Sequence, residues 1–547
     1  MNGAQALVKM LEHHGVSHVF GIPGAKVDSL FIALLDSPIE LVLCRHEQNA
    51  VFMAQAFGRL TGKVGVCVVT SGPGVTNLVT GLVTATSEGD PVLAIGGEVP
   101  LDDRIKHTHQ ALDGVDVMKP VTKYAQSALT IHSLPEVFGN AVRAAESGRP
   151  GAVFLGLPKD VGLADFPGEI SPLWGRSAPC GPAASSELQR AALLINAARR
   201  PLVLMGLQAS QPGSADAIKR FLAATGLPYA STFQGPGGWA AASQYVGKLG
   251  LFRNQPADRL LNDADCVITV GFDPIEFDPS LWNSGQARPL VAIDVQAIDQ
   301  DQAFLPQAEL IGDLDASLEA LAPLLQVQVE EAFRRSADAD RAELAATVAE
   351  GSQFGGMPVH PLRVVHELQQ VVTPDTTIAL DVGSHYIWMS RYFAADHARQ
   401  VLVSNGQQTL GVALPWAMAA GLLRPGCPVI SVSGDGGFLF TATELETAKR
   451  LGSRFVHLIW NSASYNMVEF QEQAHYGRIA GVKLGQYDVE AFAAAFGCKG
   501  YRISDANQLG PVLREALLAD CPVLIDIPID YSENLKLMQN VHQDFIH

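Results

Sequence analysis

The chain has 547 residues and a formal net charge of −18, with 48% hydrophobic and 17% charged side chains. A chain of this length is expected to form about three domains, and so acidic a chain is not expected to bind nucleic acid, whose phosphates require a basic surface. The longest apolar stretch, residues 411–432, is interrupted by Pro415, Arg424, Pro425 and Pro428, so no membrane-spanning helix is predicted.

The cysteines and the N-terminal segment indicate the compartment. There are seven cysteines, an odd number, and none has Cys-x-x-Cys spacing, which predicts free thiols in a reducing environment rather than disulfides or a zinc site. The first residues open a helix-like segment and lack the charged-then-apolar order of a secretion signal. We therefore expect a soluble, cytoplasmic protein.

Short apolar runs alternate with segments of helical period in three regions of the chain, a pattern typical of α/β domains with parallel sheets. Stretches rich in Pro, Gly and Ser at residues 163–187 and 352–358 are predicted linkers. The predicted fold is three doubly wound α/β domains at residues 1–165, 186–330 and 358–547. Strands are predicted at residues 39–43, 64–69, 92–95, 152–157, 202–204, 229–231, 266–270, 290–295, 377–380, 401–404, 429–432, 455–460 and 523–527, and helices at 47–60, 74–88 and 188–198, with two more between 309 and 350.

The turn after the strand at residues 202–204 bears on nucleotide binding in the middle region. A flavin or nicotinamide site requires a glycine-rich turn between a strand and a helix. The turn here, residues 205–210, has a single glycine, Gly206. The sequence therefore predicts that this region holds no FAD.

Two apolar runs in the third region end in polar residues. Residues 428–432 lead to Asp435 in a Gly-Asp-Gly-Gly turn, and residues 455–460 lead to Asn461 and Ser462. Parallel strands that end side by side would bring these oxygens together at one edge of a sheet. Mg²⁺ prefers such hard oxygen ligands, and glycines let backbone N–H groups approach a diphosphate. This segment alone is compatible both with a metal–diphosphate site and with an ordinary pair of turns.

The spacing of 27 residues from Asp435 to Ser462 resembles the motif of thiamine-diphosphate (ThDP) enzymes, in which Gly-Asp-Gly precedes an Asn/Asp pair by about 25 to 30 residues. Residues 45–50 and 70–77 are similar to the family's segments around the pyrimidine ring of the cofactor. Within the family the chain resembles catabolic, FAD-independent acetolactate synthase. This resemblance runs through residues 20–26, 109–110, 148–151, 282–285, 404–409 and 411–416.

The resemblance implies a domain order of pyrimidine-binding, central and diphosphate-binding domains, with ThDP and Mg²⁺ as cofactors. It assigns catalytic roles to Glu47, Gln110 and Lys26. Glu47 corresponds to the glutamate that hydrogen-bonds the pyrimidine N1′, although on its own a first-turn glutamate more often stabilises a helix dipole. Gln110 corresponds to a glutamine near the reacting carbonyl, and a solvated loop glutamine is the alternative. Lys26 could pair with a substrate carboxylate or be a solvated lysine at a helix start.

The resemblance also implies which residues contact the cofactor, the metal and the substrate. Leu410 corresponds to the apolar side chain beneath the bent cofactor, usually methionine in this subfamily, with an ordinary core leucine as the alternative. The backbone carbonyl of Gln408 would accept from the cofactor's 4′-amino group, and His385 is either a diphosphate contact or a solvated turn residue. The remaining cofactor contacts are Glu47, Thr70, Pro73, Asn77, Ser384, Asp435, Gly436, Gly437, Tyr465, Asn466 and Met467. The metal ligands are Asp435, Ser462 and the Ser464 carbonyl, and the substrate contacts are Gln110, Lys26, Met118, Val468 and Gln471.

Two positions depart from the family pattern. Ser462 stands where catabolic relatives have Asp and the wider family has Asn, so we expect a weaker Mg²⁺ site in which water replaces the lost oxygen ligand. Met118 stands where the subfamily usually has Phe, and a flexible methionine could widen the choice of acceptor.

The function implied is acetolactate synthase, in which pyruvate is decarboxylated and the hydroxyethyl-ThDP carbanion is ligated to a second pyruvate. A ThDP carboligase or decarboxylase with another donor or acceptor is the alternative. Ser462 also leaves open a catalytically impaired ThDP-fold binding or regulatory protein, against which Glu47 and Gln110 argue. The resemblance further implies a homodimer or homotetramer in which Glu47 of one chain serves Asp435 of another.

Overall fold

The computed structural model describes residues 1–235, 237–238, 243–395 and 397–537. The last ten residues of the third predicted domain, 538–547, lie outside these ranges. Within the described ranges there are three sheets, each of six parallel strands with flanking helices, which confirms the predicted fold class. No helix of the described chain is both long enough and apolar enough to cross a membrane.

By its internal contacts the chain divides into two units. The first unit combines Met1–Ala178 with Leu414–Pro425 and Thr441–Ser453. The second unit holds Pro179–Ala413, Gly426–Phe440 and the chain from Arg454 onward. Two segments of the predicted third domain therefore pack with the N-terminal region, and the domain boundaries stay a prediction.

The sheet of the first unit has the order β2-β1-β3-β4-β6-β5. Its strands are β1 (His18–Gly21), β2 (Glu40–Leu43), β3 (Gly65–Val69), β4 (Val92–Glu98), β5 (Tyr124–Ser127) and β6 (Ala152–Pro158). The helices of this region are Gly3–His13, Asp28–Leu34, Glu47–Thr61, Pro73–Thr76, Val79–Glu88, Gly114–Met118, Leu134–Glu146 and Lys159–Leu163, joined by most of Ala413–Leu423 and by Leu445–Arg450.

The second unit contains two sheets. The first has the order β12-β11-β10-β7-β8-β9. Its strands are β7 (Pro201–Met205), β8 (Tyr229–Thr232), β9 (Tyr245–Leu249), β10 (Cys266–Val270), β11 (Leu290–Asp294) and β12 (Ala308–Ile311). Its helices are Ser185–Ala197, Ala215–Thr225, Pro256–Asp263, Pro279–Trp282, Leu314–Leu321 and Glu331–Glu350.

The second sheet of this unit has the order β14-β13-β15-β16-β18-β17. Its strands are β13 (Thr377–Leu380), β14 (Val401–Leu402), β15 (Val429–Gly434), β16 (Val456–Asn461), β17 (Lys499–Arg502) and β18 (Val523–Pro528). Its helices are Pro361–Val371, Ser384–Tyr392, Asp435–Thr441, Asn466–Tyr476, Val489–Ala495, Leu509–Leu517 and Asn534–Leu537.

The central strands are buried along their whole length because helices cover both faces of each sheet. Every residue of β3, β4, β7 and β10 is buried, as expected for parallel sheets inside α/β domains. In the last sheet β13, β15 and β16 are neighbours. The strand order reverses between the paired strands β13 and β15, because β14 lies on one side of them and β16 on the other. Ligands of open α/β sheets bind at the carboxyl ends of strands beside such a switch point.

Some predicted elements differ from the observed ones. The predicted helix at residues 74–88 is two helices, separated after Thr76, and the predicted helix beginning near residue 309 is preceded by strand β12. The strand predicted at 401–404 covers only Val401–Leu402. The strands missed are short and lie at sheet edges or carry polar residues, which weakens the apolar signal: β1, β5, β9, β12 and β17.

Candidate active site

A cavity of about 180 Å³ lies at the carboxyl edge of the last sheet, inside the second unit. It is lined by residues that follow β13, β15 and β16 and by the loop before Gly411. The predicted residues that it brings together are Ser384, His385, Gln408, Leu410, Asp435, Gly436, Gly437, Ser462, Ser464, Tyr465, Asn466, Met467 and Val468. Residues predicted from distant parts of the sequence therefore share one cavity.

Asp435 follows β15 directly and is 4% exposed. Its Oδ2 accepts a hydrogen bond from the backbone N–H of Ser464 at 3.1 Å. Burial raises the pKa of this carboxyl, while backbone N–H groups of Ser464, Gly436 and Ser462 oppose the rise. A buried carboxylate of this kind gains when a cation replaces the water that it has lost.

The loop after β16 holds the two predicted serine ligands. Ala463 has a φ of 52°, an uncommon conformation for a residue with a side chain, and it turns the loop back toward Asp435. The Asn461 side chain stabilises this turn, since its Oδ1 accepts from Ala463 N at 3.1 Å and its Nδ2 donates to Asp526 Oδ1 at 2.9 Å. The Ser462 hydroxyl donates to the Ser464 carbonyl at 3.3 Å.

These groups fit an Mg²⁺ ion that shares its coordination with a diphosphate. The Asp435 carboxylate, the Ser462 hydroxyl and the Ser464 carbonyl are all hard oxygens on one wall of the cavity. Among the described residues, no group of three or more His, Cys, Asp or Glu could hold a metal. Asp435 is the only carboxylate among the described residues that line the cavity, so it would be the metal's single protein carboxylate, with further oxygens from the diphosphate and water.

Glycines at the start of helix Asp435–Thr441 are required by close neighbours. A Cβ on Gly436 would lie 2.4 Å from the Tyr465 ring, and one on Gly437 would lie 3.1 Å from the Asp381 carboxylate. Across the cavity, Gly383 has a φ of 153°, and a Cβ there would lie 2.8 Å from the His385 ring. The backbone that lines the cavity at these glycines therefore carries no side chain, which suits contact with phosphate oxygens.

A polar network ties two walls of the cavity together. Ser384 Oγ donates to Asn466 Oδ1 at 2.7 Å, and Asn534 Nδ2 donates to both of them at 3.0 and 2.8 Å. The ring nitrogen of Trp388 donates to Asn534 Oδ1 at 2.8 Å. This network fixes the start of helix Ser384–Tyr392 against the start of helix Asn466–Tyr476.

His385 is buried and neutral. Its Nε2 lies 2.9 Å from the backbone carbonyl of Asp381, which can only accept, so Nε2 carries the proton. Burial lowers the pKa of His385 to about 3. The remaining ring nitrogen, Nδ1, is therefore a hydrogen-bond acceptor, and we find no solvated turn residue here.

The loop that carries Gln408 and Leu410 is held by a carboxylate that sequence reasoning missed. Asp381 accepts the backbone N–H of Gly411 at 2.9 Å and that of Val382 at 2.8 Å. Gln408 has a φ of 46°, which costs on the order of 1–3 kcal/mol for a residue with a side chain. Strain of this kind persists only where neighbouring contacts enforce it, and Asp381 supplies one.

A second cluster of predicted residues lies in the first unit. Asn77 Nδ2 donates to Glu47 Oε2 at 2.8 Å, and the buried Thr70 hydroxyl has no hydrogen-bond partner among the described residues. Gln110 has a φ of 60°, and a Cβ on Gly72 would lie 3.2 Å from its side chain. Glu47, Asn77 and the 70–74 loop therefore lie together, with Gln110 against that loop.

Glu444 fixes the turn that carries Glu47. It is fully buried in the first unit, and its Oε1 accepts from Arg45 N at 2.8 Å and from Asn49 Nδ2 at 2.9 Å. Sequence reasoning missed Glu444 because it lies about 400 residues away along the chain and no local pattern marks it.

The other predicted residues have less distinctive surroundings. Lys26 is half-buried beside Gly97, and Met118 is fully buried at the end of helix Gly114–Met118. Gln471 lies on helix Asn466–Tyr476 but not among the residues that line the cavity. Their assigned roles stay predictions.

Two aromatic residues that line the cavity were also missed. Tyr531 lies just beyond β18, and Trp460 is buried near the end of β16 with its ring nitrogen unpaired in the described structure. Burial, and secondarily the nearby Asp435 carboxylate, raises the pKa of Tyr531. Position at a strand's carboxyl end is the signal that found Asp435, and it would also have found Asp381 and Tyr531.

The turn after β7 holds a buried carboxylate where a dinucleotide-binding sheet would receive phosphates. Both oxygens of Glu276 accept from the backbone N–H of Leu207, at 3.0 and 2.9 Å, and Thr232 donates to it at 2.5 Å. A Cβ on Gly206 would lie 2.6 Å from the same carboxylate. The backbone N–H of Leu207 in this turn is thus already bonded to a side-chain carboxyl group.

Comparison with known proteins agrees with this geometry. Three family models match in order: the thiamine pyrophosphate enzyme N-terminal TPP-binding domain at residues 1–117, the central domain at 188–321 and the C-terminal TPP-binding domain at 381–527. The chain belongs to the thiamine pyrophosphate enzyme family. It is 44% identical to an acetolactate synthase of Bacillus subtilis (strain 168) over 98% of this chain and 94% of that protein. It is 46% identical to a catabolic acetolactate synthase of Raoultella terrigena over 99% and 97% of the two chains, and 31% identical to a probable acetolactate synthase large subunit of Methanocaldococcus jannaschii over 98% and 93%.

Proposed function

We propose that this ThDP-family enzyme is an acetolactate synthase, which decarboxylates one pyruvate and joins the remaining two-carbon unit to a second. The observation that carries the proposal is the convergence of the predicted diphosphate and metal residues on one cavity, in a chain 44–46% identical to acetolactate synthases over nearly its full length. When bound, thiamine diphosphate supplies a nucleophilic carbon and an electron sink for decarboxylation of a 2-keto acid.

The cofactor's diphosphate would be held by the backbone of Gly436 and Gly437 and by the network of Ser384 and Asn466. The neutral His385 can accept a hydrogen bond through Nδ1 but carries no charge to the diphosphate. Leu410 would support the bent cofactor from below, and the carbonyl of the strained Gln408 would orient its amino group. These assignments are supported by their common position in the cavity.

Glu47 would hold or release the proton that the pyrimidine ring exchanges. Its carboxylate accepts from Asn77 at 2.8 Å, which fixes one oxygen and leaves the other for the ring. Gln110, beside the 70–74 loop, would donate to the substrate oxygen as negative charge develops there. Lys26 would pair with the pyruvate carboxylate.

Mg²⁺ would bind Asp435, the Ser462 hydroxyl or a water in its place, and the Ser464 carbonyl. Because serine contributes no charge, we expect weaker Mg²⁺ binding than an aspartate at this position would give.

The enzyme would work without FAD. The support is the carboxyl group of Glu276, which accepts the backbone N–H of Leu207 in the turn after β7 and so takes a donor that a dinucleotide phosphate would need there. Release of bound cofactors by denaturation should yield thiamine diphosphate and no flavin absorbance.

The enzyme would be a cytoplasmic homodimer or homotetramer with active sites between chains, so that Glu47 of one chain serves the cofactor held by Asp435 of another. Leu439 and Phe440, in the same helix as Asp435, are 50% and 53% exposed, which supports an interface beside the cavity. Dilution should therefore lower specific activity as the chains separate.

A ThDP carboligase with another acceptor is the second candidate. The observation that favours it is Met118, which is fully buried where the subfamily usually has a rigid phenylalanine. Incubation with ThDP, Mg²⁺ and pyruvate, followed by assay of CO₂ and acetolactate, distinguishes the candidates. Formation of both products supports the synthase. Formation of CO₂ without acetolactate supports a carboligase with another acceptor or a decarboxylase, and the absence of both products supports an impaired protein.

A further inference from the structure

A second cavity, of about 80 Å³, lies away from the active site in the second unit. Four parts of the chain form it: edge strand β9, residues 254–257 at the start of helix Pro256–Asp263, the long helix Glu331–Glu350, and the C-terminal end of helix Ser384–Tyr392. Its lining residues of interest are Lys248, Asn254, Gln255, Glu343, Thr347 and Arg391.

Lys248 is a buried cation that has no counterion in the described part of the chain. Lys248 lies on β9, and only 7% of the residue is exposed. Its side-chain ammonium group makes no hydrogen bond or ion pair with any described residue. Burial lowers the pKa of its ammonium group to about 8, and no carboxylate opposes that shift. A buried ammonium group normally pairs with an anion, since burying it alone is costly.

Arg391 supplies a second cation to the same cavity. It is 9% exposed, and its Nη1 donates to the Leu251 carbonyl at 3.2 Å and to Asn254 Oδ1 at 2.8 Å. Its Nε is buried without a partner in the described structure, and no carboxylate there pairs with the guanidinium. Arginine donors arranged around a buried space suit an oxyanion.

The acidic groups nearby are already engaged. Glu343 lines the cavity, but its side chain is 56% exposed and its Oε2 accepts from Arg259 at 2.6 Å. Asp258, in the first turn of helix Pro256–Asp263, accepts from Gln255 N at 2.9 Å and so caps its own helix. Two buried cations therefore face a cavity whose acidic neighbours are directed elsewhere.

We propose that Lys248 and Arg391 form a binding site for a small oxyanion, a phosphate or carboxylate group, between the central and C-terminal sheets. Helix Ser384–Tyr392 separates this site from the diphosphate cavity: Ser384 and His385 at its start line that cavity, and Arg391 is near its end. A helix of nine residues spans about 13 Å. The two anion sites are thus distinct, and both can be filled in one chain.

The test uses the full enzyme saturated with ThDP and Mg²⁺, without pyruvate, so that the diphosphate cavity is already filled. Inorganic phosphate is titrated calorimetrically at constant ionic strength, and acetate is titrated in parallel to distinguish a phosphate from a carboxylate site. We expect wild type to bind one of these anions at one site per chain. Lys248→Met should weaken this binding by at least about tenfold, whereas Lys499→Met, which removes an exposed lysine from another strand, should leave it unchanged.

Thermal unfolding checks that the variant folds and gives a second measurement of anion binding. Without phosphate or acetate, Lys248→Met should unfold at the same temperature as wild type or higher, because it removes an unpaired buried charge. The bound anion should raise the unfolding temperature of wild type and not that of the variant. If Lys248→Met does not fold, Lys248→Gln takes its place. Equal binding by wild type and the lysine variant, or no saturable binding of either anion by wild type, would overturn the proposal.

Discussion

Asp381 accepts the backbone N–H of Gly411 at 2.9 Å and so ties the end of β13 to the loop that carries Gln408 and Leu410. The same carboxylate lies 3.1 Å from the position of a Cβ on Gly437. One buried carboxyl group thus contacts both the loop that carries Leu410, proposed to lie beneath the cofactor, and Gly437 of the proposed diphosphate site. We expect Asp381 to be a positioning residue, acting through these backbones.

The buried Asp381 should make stability depend on pH. Burial raises its pKa from 3.8 to about 7, so between these values the folded state keeps a proton that the unfolded chain has lost. Stability from this group is therefore present at low pH and lost as the pH rises toward and through 7. Asp381→Asn cannot ionise, so the variant should be more stable relative to wild type at pH 8 than at pH 5, as measured by urea unfolding of the two proteins.

The matched control for this comparison is Asp520→Asn, an exposed aspartate in the same unit. Its stability relative to wild type should change little with pH. A stability difference between Asp381→Asn and wild type that is the same at pH 5 and pH 8 would refute the role given to burial here.

Glu47→Gln should remove most catalytic activity while leaving the fold intact. Glutamine keeps the shape and the acceptor oxygen for Asn77, but it cannot exchange a proton with the pyrimidine ring. General acid–base catalysis contributes about 10²–10⁴-fold, and we expect kcat to fall within that range. The measurement is acetolactate formation at saturating ThDP, with Glu40→Gln, an exposed glutamate, as the control. Unchanged kcat in Glu47→Gln would exclude the proposed proton route.

The diphosphate half of the site could be predicted from sequence because its residues lie beside strong local signals. Asp435 follows one buried strand and Ser462 follows its neighbour, so the sheet edge brings them together. Asp381 was missed although it also follows a buried strand, because no glycine pair marks its function. Glu444 could not be found in this way, since its partner Arg45 is remote in sequence and only tertiary packing joins them.

Ser462→Asp should tighten Mg²⁺ binding on the order of tenfold, because a carboxylate adds a charged hard-oxygen ligand beside Asp435. The half-saturating Mg²⁺ concentration for activity and direct Mg²⁺ titration with ThDP present both measure the change. Ser504→Asp, at an exposed position, adds the same charge elsewhere and should have no effect. Equal Mg²⁺ affinity in Ser462→Asp and wild type would show that position 462 is not a metal ligand.

Leu410 should tolerate methionine and not alanine. A swap of similar volume usually costs under about 1.5 kcal/mol, so Leu410→Met should retain near-normal kcat. Leu410→Ala removes the support beneath the cofactor, and misplacement by about 1 Å can cost on the order of 10²-fold in rate. Steady-state kinetics at saturating ThDP distinguish the two variants. Similar kcat values for Leu410→Ala and Leu410→Met would mean that this side chain does not shape the cofactor.

The stoichiometry of pyruvate consumption tests the central claim most directly. Enzyme with ThDP and Mg²⁺ is given pyruvate alone, and pyruvate lost, CO₂ released and acetolactate formed are measured in one reaction. The proposed function predicts two pyruvates consumed and one acetolactate formed for each CO₂. One pyruvate consumed per CO₂ with acetaldehyde as the product, or no turnover with ThDP bound, would contradict it.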